Sequence, residues 1–494
     1  MMMKVLALGL SLLCRLAASD LACSVTEEQR DPALKEMTYD IGYGEQTTLV
    51  YVEPDMDSMY NGNAPAKHKV VPKFNGLSVK FINMSNKHVR LSWEPRPGGT
   101  PNPMNKIAPF EASGTASFPT HSFIMTDPDT DKLLQRFAIQ EYPENIYAYD
   151  PYIVEGDEKA TEKNLNKHLS KKEKEFYRKW RDSLAFNEIY RNFTGRSYLA
   201  NYLRDPPRHF LWSGEYFGQT HWVETSETHF VMTPPKSALG QLKTSKKRSL
   251  KEGETVALEE YRAPGQATMN MTLKVLSVAP RVFEIPNFLS QTEVDHILDL
   301  AGGVQLSRSS VGDVGHGYSK AENKKTDTRT SFNAWVQRGK SPIVDAIYRR
   351  AADLMRIDEA LLRNRDSSER PDWPTKGSLA EHLQLVHYDP GQEYTAHHDF
   401  GFSDLSDLQG ARFATLLLYL NDEGLVGGET TFPRWVNAET FDKLKVKPEE
   451  GKAVLFYSQL PDGNLDDFSQ HSAEKPRAGE KWLINLWTWD PKYH

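Results

Sequence analysis

The chain of 494 residues is 39% hydrophobic and 26% charged, the proportions of an ordinary soluble globular protein rather than of a disordered or membrane-spanning one. That length accommodates about two to four domains, each with its own core. A formal net charge of -7 argues against a nucleic-acid partner.

Residues 1–19 read as a signal peptide: Lys4, an apolar run from Val5 to Cys14, then the small residues Ala17, Ala18 and Ser19. Arg15 ends the run after ten residues, too few to span a bilayer; a retained signal anchor is the rival reading. Cleavage near Ser19 leaves Cys23 as the only cysteine, so no internal disulfide forms and the cores alone hold the fold. Three acceptor sequons, at Asn83, Asn192 and Asn270, suit a glycoprotein of the secretory pathway, in the endoplasmic reticulum lumen or secreted, with no transmembrane span after cleavage.

Residues 40–149 are expected to form a β-sandwich. LSVKFINMS (77–85) and HVRLSW (88–93) alternate apolar with polar, and loops such as RPGGTPNP separate the runs. The segment VKFINMSNKHVRLSWEP, followed by IAPFEASGTASFPTHSFIMTDPDTDKLL, resembles the β-domain of the von Hippel–Lindau tumour suppressor. That resemblance implies a module that recognises hydroxyproline-bearing peptide; a generic sandwich is the alternative.

Residues 150–271 read as a helical and aromatic connecting region. Leu165, Leu169, Phe176, Trp180 and Leu184 make a thin apolar stripe on a charged segment, predicting a connecting helix with a solvated face. RHFLWSGEYFGQTHWVETSETHF (208–230) is expected to pack between domains. His221, Glu224 and His229 lie close within it, but their spacing is not that of a zinc helix and the Thr/Val content favours a strand. The basic stretch 242–254, with Lys246, Lys247 and Arg248, reads as a linker or exposed loop.

From 272 to 494 the pattern predicts two helices and about eight strands, a helix-supported double-stranded β-helix, or jelly roll. The first helix opens on a capping box, Ser290 with Glu293, and closes at Gly302 and Gly303. The second opens at Ser341-Pro342, with Ile343, Ala346, Ile347, Ala351 and Leu354 inward. HLQLVHY, RFATLLLYLN, KAVLFYSQ and KWLINLWTW read as strands. The whole chain is therefore mainly β and multidomain.

The chemistry centres on His397-His398-Asp399. On an extended segment residues i and i+2 share a face, so His397 and Asp399 converge while His398 points away. His471 supplies a third ligand, and two histidines with one carboxylate leave open positions on a non-heme Fe(II). A hairpin over Lys475–Gly479 is expected to place His471 and Lys481 on neighbouring strands facing one cavity. A buried Lys481 needs an anionic partner, which a dicarboxylic cosubstrate would provide.

VLSVAPRVFEIPNFLS, RTS, YDPGQEYTAHHDF, RFATLLLYLND, GGETTFP, GKAVLFYS, PDG and GEKW, in this order, resemble the catalytic domain of prolyl 4-hydroxylases, the Fe(II)- and 2-oxoglutarate-dependent dioxygenases. The resemblance implies His397, Asp399 and His471 as iron ligands, Lys481 and Tyr388 on the distal carboxylate of 2-oxoglutarate, and Thr415 lining that slot. It implies peptide contacts at Arg329 and Ser331 on a mobile loop, and at Glu381, Tyr394, Arg412 and Trp487. Its cofactors are Fe(II), 2-oxoglutarate, O2 and L-ascorbate, and its substrate is a proline-containing peptide or protein. Lysyl or small-molecule hydroxylation and a hydroxylated-peptide binding module are the alternatives. Three positions depart from the family pattern: His398 and Trp489 replace an aromatic residue and a histidine, and Glu474 replaces a cysteine.

Overall fold

The computed structural model describes residues 34–42, 45–52 and 76–490, apart from 202–205, 216–217, 227–228, 230–267, 310–327, 367, 374–375, 402–410 and 437–442. The signal segment 1–19, Cys23 and the basic stretch 242–254 lie outside the described residues. No described helix is long and apolar enough to cross a membrane. A hairpin of β1 (Leu34–Gly42) and β2 (Glu45–Val52) precedes the first sheets. β3 (Leu77–Asn83), β4 (Val89–Glu94), β5 (Asn102–Ile107), β6 (Ala112–Ser117), β7 (Ser122–Thr126), β8 (Leu133–Ala138) and β9 (Ile146–Tyr149) then form two sheets, ordered β6-β3-β9 and β5-β4-β7-β8.

β3 explains how this sandwich is used. Leu77, Val79 and Phe81 pack against Val89, Leu91, Phe123 and Met125 of the facing sheet. The alternation predicts a wet opposite face, yet Ser78, Lys80 and Ile82 are buried as well. Lys80 Nζ donates to the Leu199 and Ala200 carbonyls and lies 5.0 Å from the Trp180 ring centroid. The polar side of the strand is an interface, so its cation is bonded to backbone rather than hydrated. The sequon at Asn83 is also buried. Its amide donates to the carbonyls of Lys87, Ile107 and Ala108, which leaves no room for a glycan on the folded domain. Asn192 and Asn270 are exposed.

The connecting region holds two helices, α1 (Glu158–His168) and α2 (Lys171–Thr194), rather than one. Leu169 ends the first in an extended conformation, and Ser170 starts the second with a reciprocal capping box to Glu173. Trp180, Tyr177 and Tyr190 of α2 share a core with Ile82 and Phe110 of the sandwich and with Phe400 and Leu465 further on.

The C-terminal unit begins before residue 272. Trp212 lies in its core, and β10 (Thr220–Ser226) pairs along its length with β11 (Thr268–Ser277). The aromatic stretch expected between domains thus supplies an edge strand of the C-terminal unit's larger sheet. After β12 (Val282–Ile285) come α3 (Gln291–Gly302), β13 (Ser307–Arg308), β14 (Phe332–Val336), α4 (Pro342–Met355) and β15 (Leu383–Tyr388). The chain continues through β16 (Tyr394–His397), β17 (Ala411–Tyr419), β18 (Val426–Gly427), β19 (Thr430–Val436), β20 (Lys443–Val446), β21 (Ala453–Tyr457), β22 (His471–Ala473), β23 (Pro476–Ala478) and β24 (Lys481–Asp490). A nine-stranded sheet runs β10-β11-β12-β21-β17-β24-β15-β14-β13, and a four-stranded sheet runs β16-β22-β19-β20. Both helices have the caps that their sequences predict, and they bury Val294, Ile297, Ile343, Ile347 and Ala351 in one core with Leu385, Phe413, Leu416 and Leu486. Between them Arg350 and Glu293, both fully buried, form two 2.9 Å bonds.

His471 and Lys481 do not share a hairpin. β22 pairs with β16, His397 opposite His471, whereas β24 lies between β17 and β15 in the other sheet. The segment Lys475–Gly479 crosses between the sheets, with β23 paired to β18 on the way.

Candidate active site

The three candidate metal ligands come from two strands of the short sheet and the loop after β16. His397 and His471 are cross-strand partners with ring centroids 4.3 Å apart, and Asp399 follows two residues after His397. His397 Nε2 lies 3.8 Å from Asp399 Oδ1, and His471 Nε2 lies 3.6 Å from Asp399 Oδ2. Ligating atoms of all three fall within 4.8 Å of one another. Each imidazole directs Nδ1 at the carbonyl two residues earlier, Thr395 at 2.9 Å and Ser469 at 3.0 Å. That bond fixes ring orientation and leaves Nε2 for a metal. Burial holds the His397 pKa well below its ordinary value, with His471 adding to the effect; burial lowers His471 too. Burial acts to raise the Asp399 pKa, but His471, His397 and Arg412 outweigh it and keep the carboxyl below the carboxylate range. Two neutral imidazoles beside an ionised carboxylate are the protonation states that a divalent metal requires.

Asp399 Oδ2 is held from the long sheet. Thr415 Oγ1 donates to it at 2.6 Å and Trp487 Nε1 at 3.0 Å. Thr415 therefore does not line the cosubstrate slot as expected; its hydroxyl is turned onto the metal-site carboxylate. Trp487 has the same partner, and its ring also borders the cleft.

The cleft encloses about 390 Å³ of non-protein space open to solvent. Leu483, Asn485 and Trp487 of β24 line it on alternate positions, and Lys481 continues that stripe at the far end. Tyr388 is the direct cross-strand partner of Lys481. Lys481 is fully buried and its Nζ has no hydrogen-bond partner. The rings of Tyr388 and Tyr419 lie 5.5 and 5.6 Å from it. Burial pushes its pKa down to about 7, against Glu429 and Glu474. An orphaned buried ammonium beyond a metal-competent triad is the arrangement into which a dicarboxylate fits, one end on the metal and one on the lysine.

The expected peptide contacts separate into two groups. Arg329 and Tyr394 line the cleft, with the guanidinium 4.5 Å from the tyrosine ring and that ring stacked on His397 at 3.5 Å. Arg412 bonds Glu381 through both carboxylate oxygens (2.7 and 3.0 Å) and lies 3.8 Å over the Trp487 ring. Trp489 Nε1 donates to the same Glu381 at 2.8 Å. Ser331 stands apart from them. It is fully buried, donates to Ser309 Oγ at 3.0 Å and accepts from Arg329 Nε at 3.4 Å, so it braces the arginine and is not exposed to the cleft. His398 turns away from the metal site to Asp467, a residue with no sequence signal.

Among the described residues one other group could hold a metal: His387, Asp389 and Glu480. Its histidine bonds Glu480 at 3.1 Å and stacks on Trp482, with both carboxylates largely exposed. His221 and His229 are separately engaged by the Ser213 carbonyl and Asp353.

The sequence model of the 2OG-Fe(II) oxygenase superfamily matches residues 383–489, which include every metal-site residue and Lys481. Probable prolyl 4-hydroxylase 3 of Arabidopsis thaliana is 34% identical over 227 residues, covering 43% of this chain and 71% of that protein. Prolyl 4-hydroxylase 2 of the same plant is 32% identical over 230 residues, covering 44% and 69%. A viral collagen prolyl hydroxylase structure from Paramecium Bursaria Chlorella virus-1, in complex with 2-oxoglutarate, aligns at 24% identity, covering 42% of this chain and 95% of that one, with a TM-score of 0.30. The sequence matches make the protein a 2-oxoglutarate- and Fe(II)-dependent oxygenase. It belongs to the prolyl 4-hydroxylase family and is a prolyl 4-hydroxylase-like dioxygenase.

Proposed function

We propose that this enzyme hydroxylates peptidyl proline, with procollagen-type prolyl 4-hydroxylase activity in the secretory pathway, using Fe(II), 2-oxoglutarate and O2 with L-ascorbate as reductant. The observation that carries the reading is the unpartnered Lys481 at the end of the β24 stripe whose other end, Trp487, bonds Asp399. His397, Asp399 and His471 would hold the metal, and Lys481 with Tyr388 would hold the distal carboxylate. Once bound, these cofactors supply an oxidant that inserts one oxygen atom into a substrate C–H bond while 2-oxoglutarate becomes succinate and CO2.

The protein's share is placement. Thr415 and Trp487 orient Asp399, and the Nδ1 bonds orient the two imidazoles. Arg329, Tyr394 and Trp487 present a cation and flat rings where an extended proline peptide, with its carbonyls and apolar rings, would lie. Incubating the enzyme with proline-rich and lysine-containing peptides, then mapping added oxygen by mass spectrometry, tests the assignment. Oxygen on proline is expected; oxygen on lysine alone would replace the substrate assignment.

A further inference from the structure

His398 stands between two metal-site residues yet bonds away from them. Its Nε2 lies 3.0 Å from the Asp467 carbonyl and 3.5 Å from Asp467 Oδ1. Asp467 in turn opens a short 3-10 turn, Asp467–Ser469, that leads directly into His471. Its buried carboxylate is also held by the N-terminal sandwich. The Ser78 backbone N–H donates to Oδ1 at 2.9 Å and Asn145 Nδ2 donates to Oδ2 at 3.1 Å. Asn145 is anchored on its own side by a 2.7 Å bond to the Ser78 carbonyl. Arg434, 2% exposed, pairs with the same carboxylate and donates to the Asp467 carbonyl at 3.3 Å. Beside them Tyr142 of the sandwich side stacks on Phe468 at 5.9 Å.

One carboxylate therefore touches the segment carrying His397 and Asp399, precedes His471, and is bonded to two residues of another domain. A module tethered for its own binding role needs only a wet, loosely packed boundary. Here the boundary contains a buried charge pair, and removing Asp467 would leave Arg434 charged and desolvated.

We propose that Asp467 is a positioning residue for the metal site and that the N-terminal sandwich, acting through Ser78 and Asn145, is a working part of the catalytic unit. The inference rests on reading His397, Asp399 and His471 as metal ligands. The sandwich fixes the Asp467 carboxylate, Asp467 fixes the His398 ring and the turn before His471, and so both ligand-bearing segments share one anchor.

Anaerobic Co(II) titration of the full-length protein tests this through affinity and the visible d–d spectrum, which reports coordination geometry. His471→Ala should abolish the bands. Asp467→Asn should weaken binding about tenfold and Asn145→Ala several-fold, as outer-shell changes do, and both should alter the band shape. Lys80→Met, which removes the Nζ bonds to the Leu199 and Ala200 carbonyls but none of the bonds to the Asp467 carboxylate, should leave the spectrum parental. Parental spectra and affinities in Asp467→Asn and Asn145→Ala would overturn the proposal. So would a Lys80→Met effect as large as that of Asn145→Ala, since general loosening would then explain both. Failure of the parent to bind Co(II) would defeat the metal-site reading and the proposal with it.

Discussion

Thr415 and Trp487 face each other across β17 and β24, and both donate to one atom, Asp399 Oδ2. The pair fixes Oδ2 on the His471 side, leaves Oδ1 toward His397, and uses the long sheet to aim a carboxylate that belongs to the loop after β16. Thr415→Val and Trp487→Phe should each weaken Mn(II) binding about tenfold, in the range of outer-shell losses, with unchanged circular dichroism. Because they share an acceptor, the double variant should lose less than the two effects added together. Strict additivity in calorimetric titrations would show that the two donors act independently of each other and are not coupled through the carboxylate.

Lys481 makes an opposite prediction for stability and for function. Its pKa falls from the usual lysine range to about 7, so between those limits the unfolded chain binds the extra proton. Stability of the ligand-free protein must then rise with pH from about 7 to 10 and be lowest below 7. Lys481→Met should flatten that dependence and raise the unfolding temperature at pH 6.5, while the KM for 2-oxoglutarate climbs at least tenfold, the order expected from losing a buried charge-assisted bond. Thermal melts across pH, with and without 2-oxoglutarate, check both halves.

Proton competition for the metal should set in late. Burial depresses the pKa of His397 and His471, so neither imidazole is protonated at the pH where an exposed histidine would be. Mn(II) affinity measured by electron paramagnetic resonance is expected to change less than about twofold between pH 7.5 and 6.0. A drop of about tenfold over that interval would show histidines titrating normally.

Arg412 bonds Glu381 with two N–H groups and holds its guanidinium carbon 3.8 Å from the Trp487 ring centroid, roles that a lysine cannot fill together. Arg412→Lys should therefore raise the KM for a proline-rich peptide about tenfold while the KM for 2-oxoglutarate stays put. Equal changes in both constants would place the damage in the metal site instead.

The parts of the site that sequence discloses are those set by neighbours in the chain. His397 and Asp399 share a face because strands alternate, and the caps at Ser290 and Ser341 announce two helices. What sequence hides depends on which strands pair. Lys475–Gly479 has the residues of a hairpin turn, yet its arms join different sheets, because β24 is claimed by β15 and β17 across long separations. Thr415 reads as an inward strand residue, but only the register that sets it opposite Trp487 reveals the shared acceptor. β10 joins the nine-stranded sheet through β11, more than forty residues later in the chain. Asp467 stands in a loop without pattern, and its partners Ser78 and Asn145 are hundreds of residues away.

The buried sequon at Asn83 imposes a race. In a compartment where oligosaccharide is transferred to the emerging chain, Asn83-Met84-Ser85 is a substrate for transfer only until β3 closes. After closure its amide is held by Lys87, Ile107 and Ala108. A sugar attached first would block that closure, and with it the surface on which α2 and the Asp467 turn settle. In such a compartment folding of the sandwich would have to outrun glycan transfer, and a mutation that slows β3 would divert molecules into a form whose Asn83 amide can no longer make these bonds.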